Sequence, residues 1–457
     1  MRQLKVIGIL IILVLILVKC QKSKVFPEDQ YDDRLSGGDE TVFNATSQAF
    51  GNMFPGLTGY DVYVHSLGDR IFNQSFVTAP APIHSGLGPL FNNTSCTNCH
   101  HNDGIGLPTA GELQSSLLMR ISLPGNDAHG GPVPVPGYGL QLQDKAVFGK
   151  VPECKVNIAY AYNTYSFADG ETYELRTPTY TLTNLYTPIA GSYLLSPRLA
   201  PPMFGLGLLE AVPESEIVGL ADPNDANGDG IKGKVNYVWD AVTQTRQIGR
   251  FGWKANTASI LTQVASAFNQ DMGITTSVLP VENSFGQAQY DGLKDDPELP
   301  DSLLNAVKFY AQTLAVPARR NTTDATIKRG LQLFILAKCV NCHRQTLTTG
   351  INVAFPSVSN QIIHPYTDLL VHNMGPGLAD NRSDFLAGGQ DWRTAALWGV
   401  GLFETVNNPG YYLHDGRART LTEAIMWHGG EADQSKAYFS NLPKSDRDAI
   451  LKFLKSL

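Results

Sequence analysis

Two pentapeptides carry the chemistry most legible in this chain: Cys96-Thr-Asn-Cys99-His100 and Cys339-Val-Asn-Cys342-His343. Cys-x-x-Cys-His is the attachment signature of c-type haem. Each thiol can add across a haem vinyl group to form a thioether, and the adjoining histidine is then held under the iron as its proximal ligand. A structural zinc site needs four protein ligands, so each motif would have to recruit another Cys or His. A thioredoxin-like dithiol would explain the cysteine pairs but not the histidine after both. Two copies therefore point to two covalently bound haem c groups.

The ends and the composition bound the rest. At 457 residues, with 43% hydrophobic and 17% charged residues, the chain predicts a folded protein of two or three domains. Arg2 and Lys5 precede an unbroken apolar run, Val6 to Val18. A helix over that run would be about 20 Å long, short of the roughly 30 Å bilayer core. A basic start followed by such a run reads as an export signal over residues 1–20, which places the folded part in the periplasm or cell envelope. Cys20 stands where a bacterial lipoprotein signal has its lipidated cysteine, with Leu17 at the usual aliphatic position, although Lys19 departs from that pattern. Lipid anchoring and simple cleavage both fit, and the membrane is touched only through the N-terminus. Removing residues 1–19 takes the net charge from -7 to -10, which argues against a nucleic-acid partner. Cys20 and Cys154 remain outside the haem motifs and could pair.

Residues 21–41 read as a polar tether. Helical periodicity is clear over Ser259–Phe268, Ser302–Leu314, Ile327–Leu336, Leu421–Trp427 and Ser445–Leu454. Val156–Tyr186 alternates and predicts a β-hairpin or small sheet, and Phe285–Pro300 is the best linker. Arg198-Leu-Ala-Pro-Pro-Met-Phe-Gly205-Leu-Gly207-Leu-Leu-Glu210 is echoed, with one residue of slippage, by Arg393-Thr-Ala-Ala-Leu-Trp-Gly399-Val-Gly401-Leu-Phe-Glu404. Each echo lies downstream of its own haem motif, as a duplication would leave it. The expected fold is mainly α: two tandem cytochrome c-like domains over 42–290 and 301–457, with a small β insertion in the first.

Several stretches carry a closer resemblance: Gly249-Arg-Phe-Gly-Trp-Lys-Ala255, Asp271-Met-Gly-Ile274, Asp368-Leu-Leu-Val-His-Asn-Met-Gly375, His414-Asp-Gly-Arg-Ala-Arg-Thr420 and Trp427-His-Gly-Gly-Glu-Ala432. The chain resembles the di-haem oxidoreductase family, related to bacterial dihaem cytochrome c peroxidases and MauG. That resemblance implies a mainly helical fold and two unlike haems, the C-terminal one six-coordinate and passing electrons, the N-terminal one open to hydrogen peroxide. The sixth ligand is implied thirteen residues beyond Asp415, at His428, with Met426 the nearby alternative. At the equivalent place in the first half, Ala267-Phe268 offers no ligand. The superfamily also places a Trp between the haems ten residues before a distal Gln, an interval kept by Trp253 and Gln263. Its distal acid would be Asp271, one methylene shorter and two residues nearer the Gln than the pattern asks. Plainer readings stay open: Trp253 as core, Gln263 as a solvated helix residue, Asp271 as a cap. His129, in a Gly/Pro-rich stretch, reads as a removable ligand or an exposed loop residue.

Asp225-x-Asn227-x-Asp229-Gly230 has the alternate-oxygen spacing and glycine turn of a calcium loop, but Asn236 stands where the bidentate acid belongs. Calcium, common between the domains of such peroxidases, and a plain Asx-rich turn both fit. The leading expectation is a peroxidase or related oxidoreductase acting on hydrogen peroxide or another oxidisable substrate. A small electron-donor protein or quinol-linked cytochrome would feed it. A non-enzymatic electron carrier is the rival.

Overall fold

Two helix crossings, built alike, organise the molecule. The computed structural model describes residues 32–112 and 114–457, so the export segment and Cys20 lie outside the described residues. The described helices are α1 (Tyr60–Asn73), α2 (Leu206–Glu210), α3 (Glu214–Leu220), α4 (Ile260–Met272), α5 (Asp301–Gln312), α6 (Ala325–Leu336), α7 (Phe403–Asn407), α8 (Leu421–Trp427), α9 (Asp433–Asn441) and α10 (Lys444–Ser456). None is long and apolar enough to cross a membrane.

In the first crossing α1 packs on α5, and in the second α6 packs on α10. Glycine permits both: a Cβ at Gly68 would strike the carbonyl oxygen of Ala306, and one at Gly330 that of Ala449. Four residues beyond each glycine, on the same helix face, stands a phenylalanine. Phe72 packs on Tyr310 at 5.1 Å and on His100 at 6.1 Å. Phe334 packs on Phe453 at 5.2 Å and on His343 at 6.2 Å. The duplication is thus visible in the packing behind each haem-motif histidine. α5, expected at the start of the second domain, serves the first crossing.

The echoed segments also match. Gly205 (φ 74°) and Gly399 (φ 71°) both adopt the left-handed conformation. A Cβ on Gly205 would collide with Trp398, and one on Gly399 with Phe204, so the residue before each glycine fills the space above the other. One large hydrophobic core runs through both halves, with a small separate cluster of Ala255, Val371 and Ala387, and Arg34–Leu457 folds as one unit.

The mainly helical expectation is overturned: among the described residues 28% are helical and 20% are in strands. The four-stranded sheet is centred on Leu117–Asn126, which pairs with Pro132–Val133, Gln141–Leu142 and Leu194–Leu199. Leu117, Met119 and Ile121 are buried in alternation there, a period-two signal too short to stand out beside the helical stretches. Most remaining strands are two- or three-residue ladders. With 43 Gly and 27 Pro, the connecting chain cannot continue as helix, and its backbone groups pair locally instead.

The expected hairpin runs as Lys155–Ser166 paired to Thr172–Thr183. It arises in the first half but docks on the second. Arg176 donates to the carbonyls of Gly416 (2.7 Å) and Arg417 (2.8 Å). At the tip, Asp169 and Glu171 hold the buried Arg447 of α10 at 2.8 and 2.7 Å.

Candidate functional site

Both Cys-x-x-Cys-His motifs open into one continuous cavity of about 610 Å³. In the first motif, His100 Nδ1 meets the Pro201 carbonyl at 2.7 Å. In the second, His343 Nδ1 meets the Tyr366 carbonyl at 3.0 Å. A carbonyl can only accept, so Nδ1 carries the proton and Nε2 keeps its lone pair for a metal, the usual tautomer control of a ligating histidine. Burial pushes both imidazoles down to about 4, which keeps them neutral at physiological pH. Burial likewise pushes the Cys99 and Cys339 thiols up to about 12. Asn93 Nδ2 lies 3.1 Å from Cys99 Sγ and fixes that sulfur's direction.

The two motifs differ in what stands opposite. α8 opens with Thr420 as its N-cap, accepting from the Glu423 N–H at 3.1 Å, while Glu423 accepts from the Arg419 N–H at 2.9 Å, a reciprocal arrangement close to a capping box. The helix ends at Trp427, and the following residue, His428, turns back so that Nδ1 meets the Ala424 carbonyl at 2.7 Å. That bond satisfies one of the carbonyls a helix end leaves unpaired. It also frees Nε2 toward the cavity, where the His428 and His343 rings lie 6.5 Å apart. That separation would leave room for a metal ion held by Nε2 of both rings, at about 2 Å from each. Ala424 and Ile425 share the cavity wall with His428, whereas Met426 packs against the core. Among the described residues the ring against His100 is Phe72, with no imidazole set across from it.

α4 supplies the cavity wall of the first half. Ser259 caps it by accepting from the Thr262 N–H, and Gly273 closes it in a left-handed C-cap. Gln263, Ala267 and Asp271 all reach the cavity, and the Gln263 amide has no hydrogen-bond partner among the described residues. Asp271 accepts from Gln141 Nε2 at 2.7 Å. Burial raises its pKa, against the opposing pull of Arg120, so the carboxyl favours its protonated form more than a free aspartate would. Trp253 Nε1 donates to the Leu199 carbonyl at 2.7 Å, and its own carbonyl accepts from the Arg393 N–H at 2.8 Å. Since the Leu199 N–H in turn donates to the His414 carbonyl at 2.7 Å, Trp253 sits where the two halves meet.

Four arginines that the motifs did not point to, Arg120, Arg198, Arg382 and Arg393, also face the cavity. Asp384 pairs with Arg198 at 2.9 Å and with Arg382. Arg393 is held by the carbonyls of Gly252 (2.9 Å) and Thr394 (3.1 Å), and Arg120 by the Gln270 side-chain oxygen. Burial pulls the latter two guanidiniums down to about 10. Asp271 lies near Arg120 and Asp368 near Arg393, but neither guanidinium makes a direct ion pair among the described residues, so both can also meet the carboxylates of an apolar ligand. Haem, with its propionates, fits that arrangement as well as the imidazole and thiol positions. Arg393 heads the echoed segment opposite Arg198, a signal the sequence held.

The remaining candidates lie elsewhere. Oxygens of Asp225, Asn227 and Asp229 each accept backbone N–H groups of their own loop, and Asp229 Oδ2 takes a bond from Asn341 of the second motif at 3.1 Å. His129 stacks on Trp239 at 4.0 Å and does not line the cavity. His414 also lines the cavity and stacks on Trp392 at 3.6 Å. Cys154 is buried, 1% exposed.

Two histidines presented as ligands, with arginines facing the cavity between them, fit a dihaem redox protein. The family described as "Di-haem oxidoreductase, putative peroxidase" matches residues 31–457, and the chain belongs to it. No curated protein matches. Among solved structures, a chain of Kuenenia stuttgartiensis hydrazine synthase is similar at 20% identity, over 35% of this chain and 56% of that one, with a TM-score of 0.24. A MauG-like protein associated with microbial copper homeostasis is similar at 15% identity, over 56% of this chain and 89% of that one, with a TM-score of 0.28.

Proposed function

We propose that this protein is an exported peroxidase with haem c attached at Cys96/Cys99 and at Cys339/Cys342, receiving electrons on the His343 side and reducing hydrogen peroxide on the His100 side. The observation that carries this reading is the asymmetry of the two sites: His428 stands across from His343 at 6.5 Å, while α4 brings Gln263, Ala267 and Asp271 to the other side. The bound haems supply electron transfer at one site and peroxide reduction at the other.

The chain's own groups do the rest. His100 and His343 are held in the ligating tautomer by Pro201 and Tyr366, and Arg120 and Arg393 offer counter-charge to propionates. The unpartnered Gln263 amide orients peroxide by hydrogen bonding. Asp271 gives up its proton to the leaving oxygen. Trp253, hydrogen-bonded to both halves, lies on the electron route between them. Each turnover takes two electrons and two protons, and peroxide becomes two waters. The electrons come from a small donor protein or a quinol-linked cytochrome, and the expected export signal, outside the described residues, supports a meeting in the cell envelope.

One equivalent of hydrogen peroxide added anaerobically to the fully reduced holoprotein should reoxidise both haems, since two ferrous irons hold the two electrons required. Haems that stay reduced would contradict the peroxidase reading and leave an electron carrier.

A further inference from the structure

Polar chemistry continues behind Asp271, away from the cavity. Gln141 lies in the strand Gln141–Leu142 and Gln143 just beyond its end. Gln141 Nε2 donates to Asp271 Oδ1 at 2.7 Å and to Asn92 Oδ1 at 2.8 Å. Gln143 Nε2 donates to the Gln270 carbonyl at 2.9 Å, beside Asp271, while the Gln143 backbone N–H donates to Glu153 Oε2 at 2.7 Å. Gln287 Nε2 then reaches Glu153 Oε1 at 2.8 Å. Glu153 is 0% exposed, and Gln141 and Gln143 are each 2% exposed.

All three glutamines spend their amide N–H groups on this network, yet Oε1 of Gln141, Gln143 and Gln287 accepts nothing from the protein. Orphaned buried acceptors are rare, and ordered water is the usual donor that satisfies them. Three of them, on residues linked through Glu153 and Asp271, mark a path on which water can carry protons.

We propose that Glu153 is the proton reservoir of the peroxide site, refilling Asp271 through waters held by the Gln141 and Gln143 oxygens and itself refilled from solvent past Gln287. The proposal rests on Asp271 being the group that protonates peroxide. In each refill the Glu153 O–H bond breaks, the proton shifts along the waters, and an O–H bond forms on the Asp271 carboxylate. A solvent proton then restores Glu153, so nothing is oxidised or reduced. Two protons are consumed per peroxide and Asp271 holds one, which is why a buried site needs a second store.

Burial pushes Glu153 up to about 8, with the Gln143 N–H and Gln287 opposing, so the reservoir is loaded at neutral pH. The titratable groups against it are Tyr138, Tyr186 and Cys154, all raised by burial, the last two to about 12. Arg120, Cys96 and Cys99 face Asp271, and Asp144 and Lys145 bond Asn92. Among these described neighbours Glu153 is the group set to ionise near pH 8.

Glu153→Gln in the haem-loaded protein removes that ionisation and keeps the side-chain shape. With hydrogen peroxide and a reduced small c-type cytochrome as substrates, turnover at pH 7 should fall roughly ten- to a hundredfold, at or below the low end for a group that transfers the proton itself. The fall in rate expected near pH 8 in the unmodified protein should disappear. The infrared band of a protonated carboxylic acid, titrating near pH 8 in the unmodified protein, should be lost while the haem absorption stays unchanged. A wild-type rate and pH profile in Glu153→Gln, or no such band in the unmodified protein at pH 7, overturns the relay. Asp271→Asn separates the two readings. Slow turnover there with normal turnover in Glu153→Gln sinks the relay alone, whereas normal turnover in Asp271→Asn sinks the role of Asp271 on which it rests.

Discussion

His428 reaches the cavity because α8 stops one residue before it and leaves the Ala424 carbonyl for its Nδ1 at 2.7 Å. A ring anchored in this way presents Nε2 and little else. Replacing His428 by Ala should convert the second haem from low-spin to high-spin in its absorption spectrum while haem content is kept, because the Cys339 and Cys342 thioethers persist. An unchanged low-spin spectrum would give the ligand role to another residue. Asp271→Asn keeps the acceptor for Gln141 and removes the acid, so peroxide turnover should drop about 10²–10⁴-fold at normal haem content; undiminished turnover would take Asp271 out of the chemistry. The cysteine pairs and their histidines are legible in sequence because haem attachment fixes their types and spacing, whereas the Trp253–Gln263 interval comes from the family resemblance. The Pro201 and Tyr366 carbonyls are not, since any residue has one. Arg120 and Glu153 stay hidden too, as nothing in a linear chain tells a buried charge from a solvated one.

Among the elements, the two glycine crossings tolerate the least change. Gly330 lies so close to Ala449 that even a methyl group must push α6 off α10. Gly330→Ala should therefore destabilise the protein by about 1–3 kcal/mol, the usual cost of overpacking, and shift the second haem's spectrum first, because Phe334 carries the displacement to His343. Thermal unfolding followed at the haem bands checks this, and an unaltered midpoint would contradict it. The amphipathic helices are visible in the sequence because their period is sustained over about two turns or more. The echo of Arg198–Glu210 in Arg393–Glu404 exposes the duplication. The short ladders are not visible, since two- and three-residue strands carry no period, and their pairing is set by distant partners such as Val316 for Thr41. For the same reason the docking of the hairpin on the second half could not be read from its own alternation.

At the scale of the whole molecule, both motifs share one cavity and one core. Buried charge also ties stability to pH. Glu153 is raised from its ordinary 4.5 to about 8, so between those values the folded protein holds a proton that the unfolded chain has released. Its contribution is complete below pH 4.5 and is lost as pH rises toward 8. Glu153→Gln should flatten the decline of the unfolding midpoint across that window; an equally steep decline would place the pH dependence elsewhere. The central claim is that two haems in one fold have unequal iron environments, one closed by His428 and one open beside Gln263 and Asp271. Electron paramagnetic resonance of the fully oxidised holoprotein tests it most directly. The account predicts one low-spin and one high-spin ferric signal in equal amounts. Two low-spin signals that persist through a redox titration would contradict it.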